Sequence, residues 1–240
     1  MSISRKNRLS AATCAAAVAA AIASVANSEP SVIFTDATGD IATGIATGDG
    51  TLDLVSLEIS NTMTDIVFKL TVNGNVSSTD WGKFMIGISN GGAAAGNGNG
   101  WGRPINMDSP NGGMTRWIGS WVDGGGGSQV WSFGSGWSEG GNAGLTFVGG
   151  AQSELTYTLS LSSLGLNVGD TFSFDAYSSG GGGGDSAVDA LANPNTSING
   201  WGDTYTSGGS NPIFSYTVVP APGVIALAGV AGLLRRRRAR

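Results

Sequence analysis

The chain has no histidine and a single cysteine, Cys14, among its 240 residues. These shortages exclude much chemistry. Ser-His-Asp and Cys-His triads, zinc sites built from histidine and cysteine, and histidine-ligated haem all lack their side chains. Cys14 lies in an N-terminal apolar stretch, so the rest of the chain has no disulfide. A domain of roughly 190 residues needs none, because it buries about 70% of the surface its unfolded chain exposes. Basic residues are scarce in the middle of the chain. Arg5, Lys6 and Arg8 stand near the start, and Arg235, Arg236, Arg237, Arg238 and Arg240 at the end. Between them only Lys69, Lys83, Arg103 and Arg116 face all 17 acidic side chains, a net charge of −13. Such a domain has no basic face to offer, so no nucleic-acid partner is expected. A sustained helical stripe and a fixed-period repeat are also missing, so neither a solenoid nor a propeller is expected.

Both ends read as addressing segments. Met1 to Arg8 is basic, residues 9–25 are apolar and mostly alanine, and Ser24-Val25-Ala26 places small residues before Asn27. That order predicts a signal peptide over 1–26, removed by signal peptidase. Thr13 before Cys14 makes a poor lipidation site, so no lipid anchor is expected. At the other end Pro220-Ala221-Pro222-Gly223 precedes an apolar run from Val224 to Leu234 and then the arginines. Eleven helical residues reach only ~17 Å, short of a hydrocarbon core of about 30 Å. The arginines should stay cytoplasmic, leaving the domain before them outside. Pro220, Ala221, Pro222 and Gly223, the short apolar helix and Arg235 to Arg238 resemble the PEP-CTERM sorting signal, with Ala221 where glutamate is usual. The resemblance implies an exosortase-type sorting enzyme as partner. It also implies transient anchoring in the inner membrane through the tail, and delivery to the cell envelope, outer surface or extracellular matrix.

The middle, residues 27–219, alternates with period two. Ile66, Phe68, Leu70 and Val72 share one face, opposite Val67, Lys69 and Thr71. Leu155, Tyr157, Leu159 and Leu161 alternate with Thr156, Thr158 and Ser160, and Phe172, Phe174 and Ala176 with Ser173, Asp175 and Tyr177. Further strands are expected at 32–34, 52–60, 83–89, 114–122, 129–133, 145–148 and 213–219, with one helical turn at 162–165. Single apolar faces must be paired, which predicts an all-β, antiparallel two-sheet β-sandwich, jelly-roll-like, flanked by the signal helix and the C-terminal apolar helix. The 41 glycines gather in 91–102, 124–127, 134–144 and 180–184, which are expected to be connections.

Two groups of residues carry candidate chemistry. Asp36, Asp40, Asp49 and Asp53 surround Gly39, Gly44, Gly48 and Gly50, and Asp53 shares its strand face with Val55 and Leu57. These aspartates either cap turns through their own backbone or hold a calcium ion. Asp185 and Asp189 form a lesser oxygen pair. Seven tryptophans are many for this length. Trp117 and Trp121 fall on one strand face about 13 Å apart. Trp101 and Trp201 sit in glycine-rich loops. The four either pin loops and core or stack on the sugars of a polysaccharide. A Ser–Lys pair through Lys69 or Lys83 is not expected, since both lysines point away from the apolar face.

The stretch Asp36-Ala37-Thr38-Gly39-Asp40, the strands from Leu52 and from Asp65, and Leu159 to Leu166 with Gly169-Asp170 resemble carbohydrate-binding family 9 and DOMON-like sandwiches. Members of those families bind sugars, haem or nothing known, and the missing histidine disfavours haem. The expectation is therefore a non-enzymatic exported surface or matrix protein with a structural or adhesive sandwich. A calcium-assisted carbohydrate-binding module is the alternative, and a glycoside hydrolase using acidic residues stands third.

Overall fold

The computed structural model describes residues 31–110 and 112–220. The expected leader (1–26) and the tail residues beyond Pro220, including Ala221, Pro222, Gly223 and Arg235 to Arg238, lie outside the described residues. Among the described residues no helix is long and apolar enough to cross a membrane.

The strands in chain order are β1 (Ser31–Thr35), β2 (Leu54–Asn61), β3 (Asp65–Val72), β4 (Lys83–Ser89), β5 (Ile105–Asp108), β6 (Arg116–Trp121) and β7 (Gly127–Phe133). They continue with β8 (Trp137–Gly141), β9 (Thr146–Val148), β10 (Ser153–Ser160), β11 (Thr171–Ser179), β12 (Asp189–Ala190), β13 (Tyr205–Gly208) and β14 (Phe214–Thr217). One antiparallel sheet runs β1-β2-β3-β10-β9. The other runs β12-β11-β4-β6-β7-β8, with β14 also pairing β11. A 3-10 turn, Leu161–Leu164, follows β10 and is capped by the Ser160 side chain, which accepts from Ser163 N–H.

Period-two patterning works as the physics requires. In β3 Ile66, Phe68, Leu70 and Val72 are fully buried, while Lys69 points out and pairs with Glu58 at 2.9 Å across the strand boundary. Such exposed pairs contribute little beyond orientation. The buried faces of both sheets meet in one core, which includes Leu57, Ile59, Phe68, Leu155 and Tyr157 from one side and Phe84, Ile86, Ile118, Phe172 and Phe174 from the other. The Tyr157 hydroxyl crosses this core to Ser120 Oγ at 2.8 Å, and Ser120 donates to the Phe84 carbonyl. The polar end of a buried aromatic is thereby satisfied.

The structure departs from the sequence expectation in the glycine-rich stretches. Residues 134–144 are not merely a connection, because β8 lies within them and extends the second sheet beyond β7. The long segments around 91–115 and 180–213 fold back over the outer face of the second sheet. There they contribute a short pair, β5 beside β13, which is parallel. Beneath them lies a second apolar core containing Met85, Trp117 and Tyr177 from the sheet with Ile105, Met107, Met114, Val188, Ile198 and Tyr205 from the covering segments. β4 is consequently buried on both faces after Lys83. Its outer side carries Met85, Gly87 and Ser89, and at Gly87 a Cβ would come within 2.9 Å of Met114 Sδ. Asp175 is sealed under this cover. It accepts from Ala176 N–H, Ala192 N–H and the Ser207 hydroxyl, and Tyr177 OH meets Ser207 Oγ at 2.9 Å. Burial pushes the Asp175 carboxyl up to about 7 despite these donors.

Candidate functional site

The first site lies where β1 of one sheet and β12 of the other run along the same edge. Asp36 immediately follows β1, and its N–H still donates to the Val55 carbonyl, 3.0 Å away, prolonging the pairing with β2. The chain then turns back because Asp53 holds it. Both Asp53 oxygens accept from Gly39 N–H at 3.1 Å, and Asp53 Oδ2 also takes Asn73 Nδ2–H at 3.0 Å. Gly39 has φ +81, a conformation that suits glycine, and the turn returns Asp40 to Asp36. From the opposite sheet comes Asp189, paired in register with Ser178. Its Oδ2 accepts from Leu54 N–H at 2.6 Å and its Oδ1 from Ala190 N–H at 2.8 Å.

Asp36, Asp40 and Asp189 each offer an oxygen, and all three oxygens lie within 4.8 Å of one another. Asp36 Oδ1 accepts from Ala37 N–H, but Asp36 Oδ2 and both oxygens of Asp40 are buried without a hydrogen-bond partner. The electrostatics follow. Burial first, and the charge of Asp40 second, push the Asp36 carboxyl up to about 8. Asp40 is raised by burial and by Asp53, and Asp189 is raised well above the carboxylate range by burial and by Asp36. Close like charges cannot all ionise uncompensated; they take up protons or a cation.

Oxygen-only donors suit a hard cation. Two oxygens on one calcium, each at 2.3–2.6 Å, are at most about 5 Å apart, so the cluster has the right span. Zinc would want nitrogen or sulfur, and the described residues contain neither histidine nor cysteine. Calcium takes 6–8 oxygens, so carbonyls and water would complete the shell.

The structure thus brings together only part of the expected quartet. Asp36 and Asp40 are in the cluster. Asp53 is beside it, but its oxygens are occupied by Gly39 and Asn73, so it supports the loop. Asp49 is not among the three; it is exposed, at φ 55, and accepts from the Thr79 hydroxyl at 3.3 Å. Asp185, expected beside Asp189, is not in the cluster that Asp189 joins; its Oδ2 accepts from Gly182 N–H in its own turn. Asp189 is far along the chain from Asp36, and no spacing in the sequence links them. An aspartate flanked by Ala187, Val188 and Ala190 in a buried setting was the available signal.

The tryptophans divide in the same way. Trp117 is fully buried, stacked on Tyr177 with centroids 6.0 Å apart, and it is a core residue that no sugar can reach. Trp201 packs beside Trp81 and against Gly180. Trp101 lies on Gly119, where a Cβ would fall 2.3 Å from its ring. Its Nε1–H donates to Gln129 Oε1 at 2.7 Å, and the Arg103 guanidinium sits 5.4 Å from its ring centre. Trp121 is half-buried, its ring resting on Gly127, where a Cβ would come within 2.4 Å. An open depression of about 250 Å³ is lined by Lys83, Trp101, Arg103, Trp121 and Gly183. A second depression, of about 390 Å³, also touches Trp121 and is bounded by Gly125 to Ser128, Asn142, Gly144, Leu145 and Phe147. Comparison with protein-family models, with curated proteins and with solved structures gives no match.

Proposed function

We propose that this protein is a non-enzymatic, exported β-sandwich of the cell surface or extracellular matrix whose open edge is clasped by a calcium ion. One observation carries the clasp: three buried carboxylate oxygens of Asp36 and Asp40 have no partner, and Asp189 of the facing sheet comes within 4.8 Å of both. An ion there would tie the end of β1 to β12, joining the two sheets where no strand pairing does. A structural or adhesive role suits such a clasp, because extracellular modules bind calcium at about 0.1–1 mM. A jelly-roll-like wrap, the signal helix and the C-terminal apolar helix complete this reading.

Calorimetric titration of the full-length chain with calcium tests the clasp. One binding event is expected. Asp189→Asn should weaken it at least tenfold, and Asp49→Asn should leave it unchanged. No binding, or equal loss from Asp49→Asn, overturns the site.

Export rests on the basic-apolar-small order of residues 1–26 and on the Pro220-to-Arg240 arrangement resembling PEP-CTERM. Mass spectrometry of surface material is expected to find a terminus at Asn27 and no peptide ending in Arg240. An intact Arg240 terminus in that fraction would refute tail removal.

A further inference from the structure

We infer that the Trp121 end of the second sheet carries a binding site for a linear anionic polysaccharide of the uronic-acid type, with Trp121 as its central platform. The inference is independent of the calcium clasp, which uses other residues.

Trp121 is the one lining residue common to both depressions, so a ligand seated on its ring would border both. Its position is fixed from below. Trp121 is paired in register with Gly127, and the absence of a Cβ there lets the indole lie flat on the neighbouring strand. A half-exposed indole held in this way offers an apolar surface to sugar C–H groups at little ordering cost. Among the described residues its Nε1–H has no protein partner and remains a donor. Besides Trp121, the larger depression is lined by glycine backbone, Ser128 and Asn142, with Leu145 and Phe147 as its apolar wall. Asn142 uses its Oδ1 to accept from Gly144 N–H, which leaves its amide N–H groups for hydroxyls.

Charge selects the class of sugar. The domain holds four basic side chains against 17 acidic ones, yet two of the four, Lys83 and Arg103, line the smaller depression. The Lys83 ammonium donates to the Trp81 carbonyl and to Asp123 Oδ1, each at 3.0 Å, and keeps a third N–H. Arg103, only 6% exposed, commits Nη1 to Ser179 Oγ and to the Asp185 carbonyl; burial lowers its pKa and the Asp185 charge raises it, so it contributes positive charge at the wall of the depression rather than an open donor. Asp123 partly offsets Lys83 and Asp185 partly offsets Arg103, while the five residues that line the depression include no carboxylate. A ligand carboxylate is the complement of this corner, and neutral sugar faces are the complement of Trp121.

The test is affinity electrophoresis and tryptophan-fluorescence titration of the full-length chain with polygalacturonate and oligogalacturonates. Neutral maltohexaose and cellohexaose serve as comparison. All arms contain EDTA, so that calcium cannot bridge protein and polymer. Binding of the uronate, weakening with salt and quenching the fluorescence, is expected. Trp121→Ala should weaken it at least about tenfold, as truncation of a central aromatic does. Lys83→Gln should weaken uronate binding and flatten its salt dependence, and Asn142→Ala should weaken it less. No uronate binding, equal binding of the neutral oligosaccharides, or an unaltered affinity in Trp121→Ala overturns the inference.

Discussion

At pH 8, saturating calcium is expected to raise the melting temperature of the protein by about 5–10 °C, and Asp189→Asn to abolish the gain. A ligand at a hundredfold its dissociation constant stabilises by about 2.7 kcal/mol. A domain of this size shifts by roughly 2–4 °C per kcal/mol. The pH dependence has a definite sign. Asp36 is raised from 3.8 to about 8 in the fold, by burial and by Asp40, so the folded protein keeps a proton that the unfolded chain releases. Without metal, this group's contribution is complete below about pH 4 and is lost as pH climbs through about 8. Calcium displaces that proton, so its stabilisation should be small near pH 5 and grow toward pH 8 and above. Asp40→Asn gives the sharpest contrast. It removes a repelling charge and should raise the metal-free melting temperature at pH 8 while removing the response to calcium. Thermal melts in EDTA and in calcium across this range check all of this. A calcium shift that is equal at both ends of the range, or that survives in Asp189→Asn, contradicts the clasp.

Trp117→Ala should be the most damaging single truncation in the outer core, costing about 3–5 kcal/mol and lowering the melting temperature by roughly 6–20 °C. Trp117 has no solvent exposure, stacks on Tyr177 and meets Trp101 edge-on with centroids 6.3 Å apart. It therefore joins the sheet to the segment that covers it. Trp117→Phe should cost less than half as much. The indole Nε1–H is buried without a partner, so losing it relieves a desolvated donor while most of the ring contact remains. Denaturant unfolding of both variants makes the measurement. If the covering segments merely drape over the sheet, Trp117→Ala will cost under about 1 kcal/mol, and the second core is not cooperative with the first.

Much of the sheet was legible in advance. The period-two run at Asp65–Val72 is β3 with those bounds, and the runs at Thr171 and Glu154 are β11 and β10 to within two residues. These strands each have one buried and one open face over most of their length, which is when alternation speaks clearly. β5, β8, β12 and β13 were not legible. They are two to five residues long, β8 lies within a glycine-rich stretch and β5 and β12 just after one, and β12 has only Asp189 and Ala190 to show. Two of the three clustered carboxylates were readable for the same local reason. Asp36 and Asp40 share one turn, marked by Gly39 between them, whereas Asp189 enters through the pairing of β12 with β11.

By itself the sequence determined the alternation, the acidic balance of the middle, the tight Asp36–Asp40 turn and the wealth of tryptophan, because each is a property of neighbours along the chain. Only the tertiary structure decided that Asp189 completes the cluster, that Asp53 serves its loop, and that Trp117 is sealed while Trp121 is open. Alternation says which residues share a face of a strand. It cannot say whether another segment covers that face, because the cover is made by glycine-rich chain with no period of its own, brought in from distant parts of the sequence.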